Sequence, residues 1–171
     1  MAGYRGHITG ATVFCAGYVG ALAYVYSINA AYQQFSIPEL IAYPIALFVL
    51  ALMFGLWPDV DTNSKGQNLF YGIFLAVDLF LIATEHYAEA AFLGLFALLP
   101  IVGKHRGWTH SWWAMLLIPS PLFVLPYMLF PEKPLIGLPF YGAALVGYFS
   151  HLLLDGLIIP LPFRRRRSSG W

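Results

Sequence analysis

The sequence predicts an all-α fold, a polytopic membrane bundle of about six transmembrane helices, and three observations carry this prediction. Of the 171 residues, 60% are hydrophobic and only 10% are charged, whereas soluble domains are about 25% charged. The mean hydropathy is +0.70. The apolar residues also gather into stretches close to the roughly 20 residues that a spanning helix needs. Since a soluble fold of this size could not bury so much apolar surface, the bilayer is the expected solvent.

Six apolar stretches account for the predicted helices, and the short connections between them predict that neighbouring helices pack antiparallel. The stretches cover residues 8–32, 37–57, 68–84, 88–103, 109–130 and 138–159. Pro119, Pro121 and Pro126 interrupt the fifth stretch, so kinks are expected there. We expect a single transmembrane domain over residues 1–163, followed by a basic cytoplasmic tail over residues 164–171.

The basic residues predict the orientation of the bundle. With six spans both termini lie on the same side, and that side receives eight of the nine Lys and Arg residues; the other side receives only Lys133. By the positive-inside rule this distribution predicts cytoplasmic termini. We therefore expect a multi-pass protein of the inner (cytoplasmic) membrane. The sequence contains no uniform basic patch, so no nucleic-acid partner is expected.

Four of the five histidines and several aspartates fall on this same cytoplasmic side of the predicted topology. They come from four separate segments: the start of the first span, the end of the second, the start of the fifth and the second half of the sixth. The candidate metal ligands are His7, Asp59, Asp61, His105, His110, His151 and Asp155. Because the topology rests on hydropathy and basic residues alone, the convergence is an independent observation, and it predicts a metal site at this face.

The candidate pairs differ in how strongly they indicate a metal site. His151 and Asp155 are four residues apart, share one helix face and can bind one cation; ionisable groups within a bilayer are costly and usually functional. The alternative is an ion pair that joins helices. Asp59 and Asp61 would repel each other in a turn unless a cation or a basic side chain lies between them. The alternative there is a solvated turn.

The remaining polar groups leave alternatives open. His105 and His110 suit a bend that enters a helix with Thr109 as its N-cap, but they also suit an interfacial belt beside Trp108, Trp112 and Trp113. His7 is equally typical of a membrane interface. Asp78 lies inside the third span without an obvious partner. The outer-face residues Glu85, His86 and Glu89 suit either a second cation site or a solvated turn, and the turn is favoured.

Four motifs together resemble the YdjM-like family, which is described as membrane-bound metal-dependent hydrolases. The motifs are Gly6-His7, Pro58-Asp59-Val60-Asp61, the segment from His105 to Ser111, and the segment from Gly147 to Asp155. Their order matches over most of the chain, and the resemblance implies a metal-dependent hydrolase. The His-x-x-x-Asp spacing of His151 and Asp155 also resembles the metal-binding helices of zinc-dependent phospholipase C.

Seven candidate ligands exceed the three that a single catalytic zinc takes from a protein. We therefore expect two or more cations bridged by Asp59 or Asp61, with zinc favoured by the mixed ligands, although manganese or iron would also fit. Such a pair suits phosphoester hydrolysis. The expected catalytic residues are Asp59, Asp61, Arg106 and His110. Arg106 would contact a phosphoryl oxygen, and Thr109, Ser111 and Ser150 would orient the ligands by hydrogen bonds.

A site at the level of the cytoplasmic head groups can meet a lipid that diffuses in the membrane plane. The expected substrate is therefore a phospholipid or another lipid-linked phosphoester. One alternative is a transporter or channel for divalent cations, for which Asp78, Glu85, His86 and Glu89 would supply the outer half of the path. The other alternative is a membrane scaffold with a closed structural metal site.

Overall fold

The computed structural model describes residues 3–28, 37–60, 65–102 and 108–157, and over these ranges the chain contains helices and turns but no strand. The helices are α1 (Tyr4–Ile28), α2 (Ile37–Leu56), α3 (Lys65–Ala83), α4 (Tyr87–Val102), α5 (Trp112–Leu117), α6 (Pro121–Leu129) and α7 (Leu138–Leu154). A 3-10 turn over Trp57–Asp59 continues α2. The predicted all-α membrane fold is confirmed.

Three helical segments are long and apolar enough to cross a membrane: Tyr4–Ile28, Pro38–Asp59 and Trp112–Leu129. Three shorter apolar helices occupy Gln67–Ala83, Tyr87–Leu98 and Leu138–Leu154. Large apolar side chains on the bundle surface, such as Leu79, Phe80 and Leu95, are more than half exposed, as expected for a lipid-facing surface. The count of six spans and the side on which the termini lie stay predictions.

Prolines divide the fifth predicted stretch into two helices. The helix α5 ends at Leu117 and α6 begins at Pro121, where the missing N–H of a proline costs no helical hydrogen bond. The N-cap predicted at Thr109 is wrong. Ser111 caps α5 instead, because its hydroxyl accepts a hydrogen bond from the Ala114 N–H at 3.1 Å. Thr109 is buried and bonds the Pro58 carbonyl of another segment.

The core of the bundle is the packing of α1, α2 and α7 against one another. Glycines allow these backbones to approach closely, a feature typical of helix contacts in membranes. A methyl group added to Gly147 of α7 would overlap the main chain of Ala51 in α2. One added to Gly55 of α2 would lie 2.8 Å from the Cβ of Ala11 in α1. This close packing brings the end of α7 beside the end of α2.

The helices α3 and α4 form an antiparallel pair that packs on the core through aromatic rings. Phe96 of α4 lies 5.6 Å from Phe54 of α2 and 6.0 Å from Trp57, measured between ring centroids. Gln67 of α3 also donates a hydrogen bond to the Val60 carbonyl at 2.9 Å. Contacts from α3 and α4 thus stabilise the turn that follows α2.

Candidate metal centre

Histidine and aspartate side chains from four segments meet at one end of the bundle. His7 belongs to the first turn of α1, Asp59 closes the 3-10 turn after α2, and His110 lies two residues before α5. His151 lies in the last turn of α7, and Asp155 follows that helix as its C-cap. Among the described residues, Asp59, His110, His151 and Asp155 form the one group of three or more potential ligands whose donor atoms all lie within 4.8 Å of one another.

The donor atoms of this group have the spacing of ligands around one cation. The two histidine Nε2 atoms, of His110 and His151, are 3.4 Å apart. His110 Nε2 lies 3.4 Å from Asp59 Oδ1 and 3.8 Å from Asp155 Oδ2. His151 Nε2 lies 3.7 Å and 3.6 Å from the same two oxygens. Four ligands arranged tetrahedrally at zinc bond lengths would be about 3.4 Å apart.

Hydrogen bonds at the opposite ring nitrogens direct both Nε2 lone pairs toward the centre of the group. His151 Nδ1 lies 2.8 Å from the Gly55 carbonyl oxygen. Because a carbonyl can only accept, Nδ1 must carry the proton. His110 Nδ1 lies 3.2 Å from Thr109 Oγ1, whose own proton is donated to the Pro58 carbonyl at 3.3 Å. Such outer partners typically fix the tautomer of a metal-binding histidine.

His7 approaches the same carboxylates from the other side. Its Nε2 lies 3.7 Å from Asp59 Oδ2 and 3.7 Å from Asp155 Oδ1. These are the carboxylate oxygens that do not face His110 and His151. Its ring stacks on His151 with the centroids 3.8 Å apart. His7 is 1% exposed, and within the described part of the chain neither of its ring nitrogens has a hydrogen-bond partner. A buried imidazole in that state is a ready cation ligand, since unpaired polar groups are costly inside a protein.

Within the described part of the chain, the cluster of His7, Asp59, His110, His151 and Asp155 is accessible on the side of Asp59 and His110. The side chains of His7, His151 and Asp155 are at most 2% exposed, whereas Asp59 is 27% and His110 is 16% exposed. Beyond His110, the rings of Trp112 and Trp113 stack on each other with centroids 3.8 Å apart, and both side chains are more than half exposed. A ligand reaching the cluster would therefore approach beside Asp59 and His110.

The structure places the other predicted site residues as follows. Asp61, His105 and Arg106 lie outside the described residues, as does the basic tail. Thr109 contacts a candidate ligand, His110. The hydroxyl of Ser111 bonds the Trp108 carbonyl and caps α5, and the hydroxyl of Ser150 bonds the Gly147 carbonyl at 2.7 Å. These two serines thus stabilise their own local segments and do not contact a ligand side chain in these bonds.

The outer-face residues do not assemble into a comparable group. Glu85, His86 and Glu89 are exposed, and His86 Nδ1 lies 2.8 Å from the Thr84 carbonyl oxygen and so binds its own turn. Asp78 has a buried Oδ1 with no hydrogen-bond partner among the described residues. The described residues therefore concentrate potential ligands at one end of the bundle and do not continue them as a path across it.

Sequence reasoning missed three features that shape the cluster. The Gly55 carbonyl orients His151, Gly147 lets α7 approach α2, and Tyr148 donates a hydrogen bond to the Thr109 carbonyl. Of these three features, Tyr148 is the one that the sequence could have indicated. The available signal was its place directly beside Gly147 and three residues before His151, one helical turn from a ligand.

A family model described as YdjM inner membrane protein matches residues 5–166 of the chain. These residues include every candidate ligand. No curated protein and no solved structure matches the chain.

Proposed function

The chain belongs to the YdjM inner membrane protein family, and from that premise and the cluster we propose that it is a membrane-embedded, metal-dependent hydrolase. Its proposed substrate is a phospholipid or another lipid-linked phosphoester, cleaved at the cytoplasmic face. The observation that carries the proposal is the set of two imidazole lone pairs and two carboxylates directed at one point, at mutual distances of 3.4–3.8 Å.

Those four ligand atoms fit a divalent cation. The outer hydrogen bonds of His110 and His151 favour the tautomers in which both Nε2 atoms present lone pairs, and carboxylate oxygens of Asp59 and Asp155 converge on the same point. A mixed imidazole and carboxylate set favours zinc, and manganese or iron would also fit. A cation held by these residues would supply an activated water and would neutralise the charge on phosphoryl oxygens.

Two adjacent cations are the proposed count. Asp59 and Asp155 each present one oxygen to His110 and His151 and the other oxygen to His7, so either carboxylate can bridge two ions. The sequence predicted Asp59 or Asp61 in that bridging role. Asp155 joins Asp59 as a candidate, and Asp61 stays a prediction because it lies outside the described residues.

The exposure of the ligands supports a catalytic site over a closed structural one. A catalytic metal keeps one coordination position for water or substrate, whereas a structural metal is enclosed by protein ligands. Among the described ligands, Asp59 and His110 are the two accessible ones, so water and substrate would reach the cations beside them. In hydrolysis the water oxygen would bond to phosphorus as the P–O bond to the alcohol breaks, and the proton that the water loses would be transferred to the leaving alcohol. Arg106 stays the predicted contact for a phosphoryl oxygen.

A lipid substrate is supported by the surroundings of the accessible side. Trp112 and Trp113 follow His110 within three residues and are more than half exposed, and exposed tryptophans are typical of the head-group level of a membrane. Leu157, two residues after Asp155, is also exposed. An amphiphile with its phosphate at head-group depth would contact these apolar side chains while its phosphoester meets Asp59 and His110.

The proposal predicts hydrolysis that depends on a divalent cation. The purified protein would be reconstituted into vesicles of phosphatidylethanolamine and phosphatidylglycerol, and released phosphorus-containing products would be followed by ³¹P NMR. We expect product release that stops on chelation and returns when zinc, manganese or iron is added back. Hydrolysis unaffected by chelation would contradict the proposal. Flux of divalent cations into the vesicles without lipid cleavage would instead support the transporter.

A further inference from the structure

Two tyrosines of α7 donate hydrogen bonds to main-chain carbonyls of the segment that leads from the cluster into α5. Tyr141 bonds the Leu116 carbonyl at 3.1 Å, and Tyr148 bonds the Thr109 carbonyl. The donors are seven residues apart along α7, and the acceptors are seven residues apart in the opposite direction. The two bonds therefore hold α7 and this segment in one antiparallel register. Tyr141 lies far from the cluster, and Tyr148 lies beside it.

Burial among aromatic rings strongly favours this hydrogen bond of the Tyr148 hydroxyl. Tyr148 is fully buried, and its ring lies 6.1 Å from that of Trp57, which in turn lies 5.7 Å from the ring of Trp108. A hydroxyl among apolar rings is costly unless it is hydrogen-bonded. The hydrogen bond therefore holds the Thr109 carbonyl beside Tyr148 of α7, one helical turn before His151.

Hydrogen bonds of the Thr109 side chain connect this segment to His110. Thr109, whose carbonyl accepts from Tyr148, also uses its hydroxyl to bridge the Pro58 carbonyl and His110 Nδ1. His110 lies in a turn and not in a helix, so no helical register orients its ring. Its Nε2 nevertheless lies 3.4 Å from His151 Nε2. Hydrogen bonds through Tyr148 and Thr109 thus connect the helix that carries His151 to the second histidine.

We propose that Tyr148 is a positioning residue, whose hydrogen bond to Thr109 holds His110 at ligand distance from the cation. This inference rests on the proposed metal-dependent function, although Tyr148 itself touches neither cation nor substrate. Loss of the hydroxyl frees the Thr109 carbonyl and lets the His110 turn move. Loss of an outer partner of a metal ligand typically lowers cation affinity about 10- to 100-fold.

The test compares Tyr148→Phe with Tyr141→Phe in the detergent-purified full-length protein. Both changes remove one hydroxyl that bonds a carbonyl of the same antiparallel segment, so they are matched in chemistry, although Tyr148 is fully buried and Tyr141 is partly buried. Zinc affinity would be measured by competition with a chromophoric chelator, and thermal unfolding would be recorded in parallel. We expect Tyr148→Phe to weaken zinc binding about 10-fold or more, while Tyr141→Phe leaves it unchanged even if it lowers thermal stability.

A double-mutant cycle separates positioning from a general loss of structure. If Tyr148 acts through His110, Tyr148→Phe has no further effect on zinc affinity in a His110→Ala background. Thr109→Val, which keeps the side-chain shape but removes the hydroxyl, should weaken binding in the same direction and provides a second variant if Tyr148→Phe folds poorly. Wild-type affinity in both Tyr148→Phe and Thr109→Val, or an equal loss with and without His110, would overturn the inference. Absence of zinc binding by the wild-type protein would defeat the proposed function as well.

Discussion

Replacing His151 with alanine is expected to remove the bound cation and to abolish hydrolysis. His151 is fully buried, its Nε2 lies within 3.7 Å of Asp59, Asp155 and His110 donors, and its ring stacks on His7. Loss of an outer partner alone costs about 10- to 100-fold in metal affinity, so loss of the central ligand should exceed 100-fold. The measurement is elemental analysis of the purified variant after removal of loosely bound metal.

The matched control is His86→Ala, which removes an exposed histidine whose ring, among the described residues, hydrogen-bonds its own turn at Thr84. It should retain the wild-type metal content and the wild-type hydrolysis rate. Thermal unfolding of both variants would show whether each is folded. A His151→Ala protein that is folded and keeps its full metal content would contradict the assignment of the cluster as the metal centre.

Replacing Gly147 with alanine is expected to destabilise the bundle and to weaken metal binding at the same time. The added methyl group would overlap the main chain of Ala51, and a backbone cannot rotate away as a side chain can. Overpacking of this kind costs about 1–3 kcal/mol. Separation of α2 from α7 would also lengthen the 2.8 Å contact between His151 and the Gly55 carbonyl. Thermal unfolding and zinc affinity would both be measured in detergent.

Gly72→Ala in α3 provides the comparison for this substitution. A methyl group there meets no atom within 4 Å, and alanine favours a helix over glycine by roughly 0.5–1 kcal/mol. This variant should therefore unfold at or slightly above the wild-type temperature and bind zinc normally. Equal destabilisation by both substitutions would show that the close approach of α7 to α2 is not what the Gly147 position requires.

Much of the fold could be predicted because a bilayer imposes simple rules on sequence. A spanning helix must be long and apolar, so hydropathy alone locates Ile37–Leu56 within a residue at each end. Prolines predicted kinks in the fifth stretch, and the structure has a division into two helices there, with α5 ending at Leu117 and α6 beginning at Pro121. The cap of α5 could not be predicted as easily. Thr109 and Ser111 are both good caps, and only the tertiary contact of Thr109 with Pro58 decides between them.

The site could be predicted as far as side-chain chemistry and helical spacing reach. His151 and Asp155 share a face by their spacing, and topology suggested that His7, Asp59 and His110 lie at the same end of the bundle, where the structure brings them together. The orienting groups could not be predicted in this way. The Gly55 and Thr109 carbonyls are main-chain atoms that every residue type carries, so no sequence pattern marks the ones that the fold selects.

The most direct test of the central claim is anomalous diffraction from crystals of the zinc-loaded protein, recorded on both sides of the zinc absorption edge. We predict one anomalous peak about 2.1 Å from the Nε2 atoms of His110 and His151. The same peak should lie at bonding distance from a carboxylate oxygen of Asp59 and one of Asp155. A second peak is expected between His7 and the remaining oxygens of the two carboxylates. Density with no anomalous peak, in which the imidazoles donate hydrogen bonds directly to the carboxylates as a simple ion-pair network, would contradict it.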